Sequence, residues 1–306
     1  MPRNDTEWNR PDLWKVGSDA SALSTTRVAV RARRPPRRKS KRRWRLPRIP
    51  PRLRRRWWRK FRHLPGPLQA LTAVVTLAVL ALIVNFLYQV IRKPTELFFP
   101  VSGTLYKSPA ETWEEYAPIF RRHSTAVMTP EFLAALAQVE GSGNPIVRTY
   151  WRWSWKPALF EMYRPASSAV GMYQITDGTF EEAKRFCIHD HVVVEDGPWN
   201  DWRSCWFTSL YFRVVPTHSV ELTSAYLDRG VADALRRHHI RSATLAQKQN
   251  LATLMHLCGV GAGNLYAGRG FRLAPGQRCG DHSAAGYVAK VESMKRIFAR
   301  FAAGEH

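Results

Sequence analysis

The stretch Thr129-Pro130-Glu131-Phe132-Leu133-Ala134-Ala135-Leu136-Ala137-Gln138-Val139-Glu140-Gly141 carries its own start and stop signals. Thr129 suits an N-cap, because its hydroxyl can accept a backbone N–H of the first turn. Pro130 suits the first helical position, where no N–H is needed, and Gly141 suits the end. Between them Phe132, Ala135, Leu136 and Val139 recur at spacings of three and four. The pattern predicts an amphipathic helix of about three turns with one apolar stripe in a core. Glu140 falls at its carboxyl end. The helix dipole and apolar surroundings both disfavour the ionised form of a carboxyl group placed there, which suits such a group to general acid work. A Glu ending a helix is more often a solvated residue, so the functional reading rests on the company Glu140 keeps.

The same signals recur downstream and predict a mainly α chain. Thr179-x-x-Glu182 reads as a capping box before a short helix ending near Phe186, and Ser242 as the cap of a longer helix running through Leu251, Leu254 and Met255 to Gly259. Ser283 caps a last helix whose stripe is Tyr287, Val291, Met294, Ile297, Phe298 and Phe301. Residues 126–306 then form one domain, long enough for a core of its own. Residues 94–125, with Pro94, Pro100 and Pro109, read as a stalk or linker.

Four short motifs follow one another in this region: Glu140-Gly141-Ser142-Gly143-Asn144-Pro145, Ala169-Val170-Gly171-Met172-Tyr173-Gln174, Cys258-Gly259-Val260-Gly261-Ala262-Gly263 and Tyr287-Val288-Ala289-Lys290. In type and order they resemble the soluble-type lytic transglycosylases, which have a lysozyme-like α+β fold. The resemblance spans somewhat over half the chain. It implies that Glu140 is the catalytic acid, and that Ser142, Asn144, Gly171, Met172, Tyr173, Gln174 and Tyr287 serve substrate binding. Gly171 would allow close backbone approach, Met172 and Tyr173 would form an apolar wall, and Gln174 would supply its amide. Three positions depart from the family: Gly141 stands for Ser, Cys258 for an active-site Tyr and Gly259 for Asn. Ser142 and Tyr287 are the candidates to supply the missing hydroxyls.

The implied chemistry needs one carboxyl group, unlike a retaining glycosidase, which uses two. Glu140 would protonate the leaving oxygen between N-acetylmuramic acid and N-acetylglucosamine, then take the proton of the 6-hydroxyl to leave a 1,6-anhydro end. No cofactor is called for and no metal, although His189-Asp190-His191 and His238-His239 have ligand-like spacing. An insertion relative to the family, 146–168, carries Tyr150, Trp151, Trp153 and Trp155 alternating with Arg152, Ser154 and Lys156. Period-two alternation predicts an extended segment. Its indoles suit either a glycan-groove wall, with Trp151 and Trp153 binding substrate, or an aromatic staple holding a long loop. The segment 187–240 has no family counterpart and could shape the groove or bind a partner.

Location follows from the first third of the chain. Leu68 to Val90 is uncharged and apolar, and roughly 23 residues at about 1.5 Å each reach across a bilayer core. The long preceding segment and the lack of a small-x-small cleavage site favour an uncleaved anchor over 64–93. Residues 1–63 contain 22 Lys plus Arg against 4 Asp plus Glu, so most of the chain's net +23 precedes the span. That asymmetry predicts a cytoplasmic amino-terminal arm and a domain on the far side of a bacterial inner membrane, where peptidoglycan lies. The arm has too few apolar residues for a core and reads as disordered, drawn to anionic lipid headgroups. Phosphate neutralisation on nucleic acid is the less favoured reading of the same charges. All four cysteines follow the span. Proximity favours Cys187 with Cys205 and Cys258 with Cys279 as disulfides in an oxidising compartment, with free buried thiols as the alternative. The function expected is a membrane-anchored peptidoglycan lytic transglycosylase. Its alternatives are a goose-type-lysozyme-like hydrolase and an inactive peptidoglycan-binding scaffold of a secretion or conjugation apparatus.

Overall fold

A computed structural model of the chain describes residues 61–154, 161, 163–201 and 203–304. The basic arm up to residue 60, and Trp155 with Lys156, lie outside the described residues. From Pro65 onward the chain forms one unit. Its helices are α1 (Gly66–Arg92), α2 (Phe99–Ser102), α3 (Pro109–Arg122), α4 (Pro130–Gly141), α5 (Asp177–Ala183), α6 (Pro216–Arg237), α7 (Leu245–Cys258), α8 (Val260–Gly268) and α9 (Ala284–Ala302). Three antiparallel two-strand ladders join β1 (Trp151–Trp153) to β2 (Tyr163–Pro165), β3 (Phe186–His189) to β4 (Val192–Glu195), and β5 (Arg278–Cys279) to β6 (His282–Ser283). The chain is mainly helical.

α1 is the one helix among the described residues that is long and apolar enough to cross a membrane. Its leucines, valines and isoleucines point outward all round, with only Asn85 and Gln89 buried. Thr72 and Thr76 donate their hydroxyls to the carbonyls four residues back, at 2.7 Å each, which satisfies both groups within the helix.

α4 sits at the centre of the domain, packed by α3 and α9. Phe132 to Ala137 are all fully buried, so the helix is enclosed on every side in its middle and is not amphipathic as the stripe predicts. The small side chains Ala134 and Ala137 let neighbouring helices close over what reads as the polar face. Thr129 caps α4 as expected, accepting from the Phe132 N–H.

The expected stalk is corrected by α3. Ser108 and Glu111 form a capping box, and Pro109 takes the first helical position. The helix buries Trp113, Tyr116, Ala117 and Phe120 in the same core as α4. Thr112 donates to Gln138 Oε1 (2.7 Å), and Gln138 Nε2 donates to the Lys107 carbonyl (2.9 Å), locking α3 and its approach to α4. The core therefore includes α3, which lies within the expected stalk.

Two caps differ from expectation. Thr176, not Thr179, accepts from the Thr179 N–H and starts α5, which ends at Ala183 because Phe186 enters β3. Thr244, not Ser242, forms the box with Gln247 at the start of α7. Ser283 caps α9, and Tyr287, Val291 and Phe298 of its stripe are buried. Asp190 and His191 are the left-handed turn residues between β3 and β4, a hairpin role that accounts for their adjacency. Both cysteine pairs favoured by proximity are bridged, Cys187 with Cys205 and Cys258 with Cys279.

Candidate active site

Glu140 closes α4, and three other elements bring groups to it. The Tyr287 hydroxyl, one turn into α9, donates to Glu140 Oε1. His256, near the end of α7, places Nε2 3.7 Å from the same oxygen. Glu140 Oε2 has no hydrogen-bond partner among the described residues, and the Glu140 side chain keeps 17% of its surface exposed. Burial, reinforced by the Glu140 charge beside it, pushes the Tyr287 phenol well up. It therefore stays protonated at all ordinary pH and donates to Glu140. One carboxylate oxygen is thus held and the other is left to meet a ligand.

The turn after the insertion forms the next wall. Val170 and Ile175 exchange backbone hydrogen bonds across it (3.2 and 3.1 Å), and Gln174 N donates to the Gly171 carbonyl (3.0 Å). Gly171 has φ +81°, and a Cβ there would collide with the Arg213 carbonyl. Gln174 donates its amide to the carbonyls of Gly171 (2.9 Å) and Val147 (3.2 Å). Its Oε1 is the acceptor it can offer to a cavity of about 220 Å³, lined also by Ile175, Thr223, Tyr226, Leu227 and His256. His256 connects this cavity to Glu140. Leu222, Thr223, Tyr226 and Leu227 all belong to α6, so the segment 187–240 supplies one side of the cavity.

Gly141, a departure from the family pattern, has a local cause. A Cβ there would lie 2.8 Å from Met172 Cα and 2.9 Å from the Met172 carbonyl oxygen. α4 and the 171–174 turn touch through backbone at this point, and Ser cannot fit without separating them. Gly141→Ser is therefore expected to destabilise the domain by about 1–3 kcal/mol, as overpacking does, and to lower turnover with it. A thermal melt unchanged from wild type would remove this explanation.

Several expected ligand contacts are corrected. Met172 and Tyr173 have no exposed surface, and Tyr173 donates its hydroxyl to the Leu133 carbonyl (3.1 Å). They belong to the core against α4 and do not form a groove wall. Asn144 is also fully buried, donating to the Ser102 carbonyl (2.5 Å) and accepting the Ile146 N–H (3.0 Å). Both ends of its side chain are used in holding the loop. Ser142 is the left-handed residue that ends α4 (φ 48°), and its carbonyl accepts Lys107 N at 2.9 Å. Trp151 stacks on Phe86 of α1 (5.9 Å between ring centroids) and donates Nε1 to Glu96 (2.7 Å), an aromatic staple. Trp153 lies over Tyr163 (4.9 Å) and is largely exposed. The structure therefore brings Tyr287 and His256 to Glu140, places Gln174 on the cavity that His256 also lines, and sets Trp151 on α1 and Trp153 on Tyr163.

Cys258 does not take a phenol's place at Glu140; Tyr287 brings that group from α9. The 259–263 motif is not a simple turn, since Val260 already begins α8. The Cys258–Cys279 bridge joins the end of α7, two residues past His256, to the β5–β6 hairpin, whose Ser283 caps α9. It clamps together the two elements that reach Oε1. Replacing both Cys258 and Cys279 with Ala is expected to remove about 3 kcal/mol of constraint and to lower activity well before helix content falls. Parallel loss of circular dichroism and activity would show that the bridge acts only on the fold. His256 is the participant the sequence reading missed; nothing near it in the chain marks it, and only the packing of α7 beside α4 does. Among the described residues no group of three or more His, Cys, Asp or Glu is placed to hold a metal. No protein-family model matches the chain, and no curated protein matches it either.

Proposed function

We propose that this chain is a membrane-anchored lytic transglycosylase with a lysozyme-like catalytic domain, acting on the glycan strands of peptidoglycan. The observation that carries the reading is the arrangement at Glu140. One oxygen is held by Tyr287 and approached by His256, the other is without a partner among the described residues, and His256 also lines a cavity bordered by Gln174. The order of the four motifs supplies the substrate class.

In this reading Glu140 gives its proton to the bridging oxygen as the bond from that oxygen to C1 of N-acetylmuramic acid breaks. The sugar's own N-acetyl carbonyl shields the positive C1. The Glu140 carboxylate then accepts the 6-hydroxyl proton as O6 bonds to C1. One C–O bond is broken and one formed, Glu140 ends protonated as it began, and no water is consumed. Tyr287 and His256 are positioning residues, because they act through Glu140. Mass analysis of fragments released from purified peptidoglycan by the full-length protein tests the reaction class. Anhydro ends support the proposal, reducing ends assign a hydrolase, and binding without fragments assigns a scaffold.

The charge asymmetry across α1 supports a cytoplasmic arm and a periplasmic domain. Protease added outside intact spheroplasts is expected to digest the chain beyond Lys93 and to spare the part before Arg62. Protection of the carboxyl-terminal part would overturn the placement, and the substrate with it.

A further inference from the structure

α1 has 27 residues, which at about 1.5 Å per residue is roughly 40 Å of helix, against about 30 Å of bilayer hydrocarbon. About two turns therefore extend past the hydrocarbon layer. The carboxyl-terminal turns are the ones that differ from the rest. Asn85 and Gln89 are the buried residues of α1, Phe86 stacks on Trp151, and Arg92 meets Glu161 at 3.5 Å. The β1–β2 hairpin is thus packed on the carboxyl-terminal turns of the helix.

A buried ion cluster fixes it there. Glu96 is fully buried and takes Lys93 (3.3 Å), Arg148 (2.9 Å) and the Trp151 indole N–H (2.7 Å). Lys93 is itself buried. Its ammonium also donates to the Ala169 carbonyl (3.0 Å), two residues before Gly171. With both sides of the cluster tied, the hairpin cannot swing away from the helix end without exposing unpaired charge.

Side chains alternate along β1 and the residue before it: Trp151 and Trp153 share the side that carries Tyr163, and Tyr150 and Arg152 share the other. Tyr150 is 71% exposed and Trp153 61%, with Arg152 exposed between them, and Leu97 of the adjoining turn is 62% exposed. Amphipathic rings interleaved with a cation, at the depth where a span leaves the hydrocarbon, match the headgroup layer. We infer that the exposed segment from Tyr150 to Trp153, which presents Trp153 on one side and Tyr150 with Arg152 on the other, is a membrane-docking surface, occupied by the phospholipid headgroup layer at the carboxyl-terminal end of α1. It rests on the reading of α1 as a span. The hairpin is then no part of the glycan groove. It holds the domain against the bilayer, so that Glu140 works on strands lying near the membrane.

The full-length protein in phospholipid vesicles tests this. All four native cysteines are in disulfides, so a single introduced cysteine gives a unique site for an environment-sensitive fluorophore. Trp153→Cys and Tyr150→Cys probe the hairpin, Val75→Cys the middle of α1, and Leu265→Cys the exposed face of α8. Nitroxides are carried on lipid headgroups or at mid-chain. The inference expects the two hairpin labels to lose roughly half or more of their emission to headgroup nitroxide, with Val75→Cys quenched from mid-chain and Leu265→Cys by neither. Quenching of Val75→Cys with the hairpin labels behaving like Leu265→Cys overturns the docking surface and leaves the span standing. No quenching at Val75→Cys removes the span itself. A hairpin label that responds to soluble peptidoglycan fragments but not to either nitroxide returns the hairpin to the glycan groove.

Discussion

Replacing Glu140 with Gln is expected to abolish glycan cleavage by the full-length protein while leaving its melting temperature and its binding to peptidoglycan nearly unchanged. Gln keeps the shape of the side chain, and its amide oxygen can still accept from the Tyr287 hydroxyl that now meets Oε1. It cannot give a proton to a leaving oxygen. General acid catalysis contributes about a hundredfold or more, and here the same group returns as the base, so the loss should be at least that large. Fragment release measured by mass analysis decides the matter. A variant that keeps more than about a tenth of wild-type turnover removes Glu140 from the role of acid. Full loss together with a lowered melting temperature would instead trace the effect to folding, and the binding assay on the same preparation separates the two.

How much of this was legible in the sequence depends on whether a feature is local. The bounds of α4 follow from Thr129, Pro130 and Gly141, all within the helix or beside it, and the structure has them as read. α9 starts at its Ser283 cap for the same reason. Where two hydroxyls compete within a few residues, the reading picked the wrong one. Thr244 prevails over Ser242 because Gln247 stands three residues on and completes the box, a signal that was present but not weighed. Ser108 with Glu111 is the same case: prolines that looked like stalk breakers include Pro109, which begins a core helix. Long-range packing was not legible. Ala134 and Ala137 lie outside the predicted stripe, yet both are fully buried where neighbouring helices close in. The contact of His256 with Glu140 joins residues 116 positions apart, and the stacking of Trp151 on Phe86 joins a loop to a span. Neither leaves any periodic trace. Gly141 was read as a departure, and only the backbone of Met172 explains it.

Tyr287→Phe should carry the second large effect, because it removes the donor that selects which oxygen of Glu140 works. The ring is buried in the core, and Phe fills the same volume, so helix content and melting temperature should shift little. What is lost is the hydrogen bond that holds Oε1 as Glu140 passes through its carboxylate form, worth about 1.5–3 kcal/mol while that charge is present. That corresponds to roughly a ten- to hundredfold fall in kcat, with binding of soluble fragments held within about twofold, since the phenol acts through Glu140. Turnover within about twofold of wild type would make the Tyr287 contact a packing feature only. His256 supplies the sharper check, because its Nε2 approaches the same Oε1 at 3.7 Å. Two groups that position one atom cannot lose their effects independently. The Tyr287→Phe and His256→Gln double variant should therefore be less impaired than the product of the single losses, as either change alone already frees the carboxylate to rotate. Strictly multiplicative losses would mean that the two residues serve separate steps, and that Oε1 is not the shared point of control.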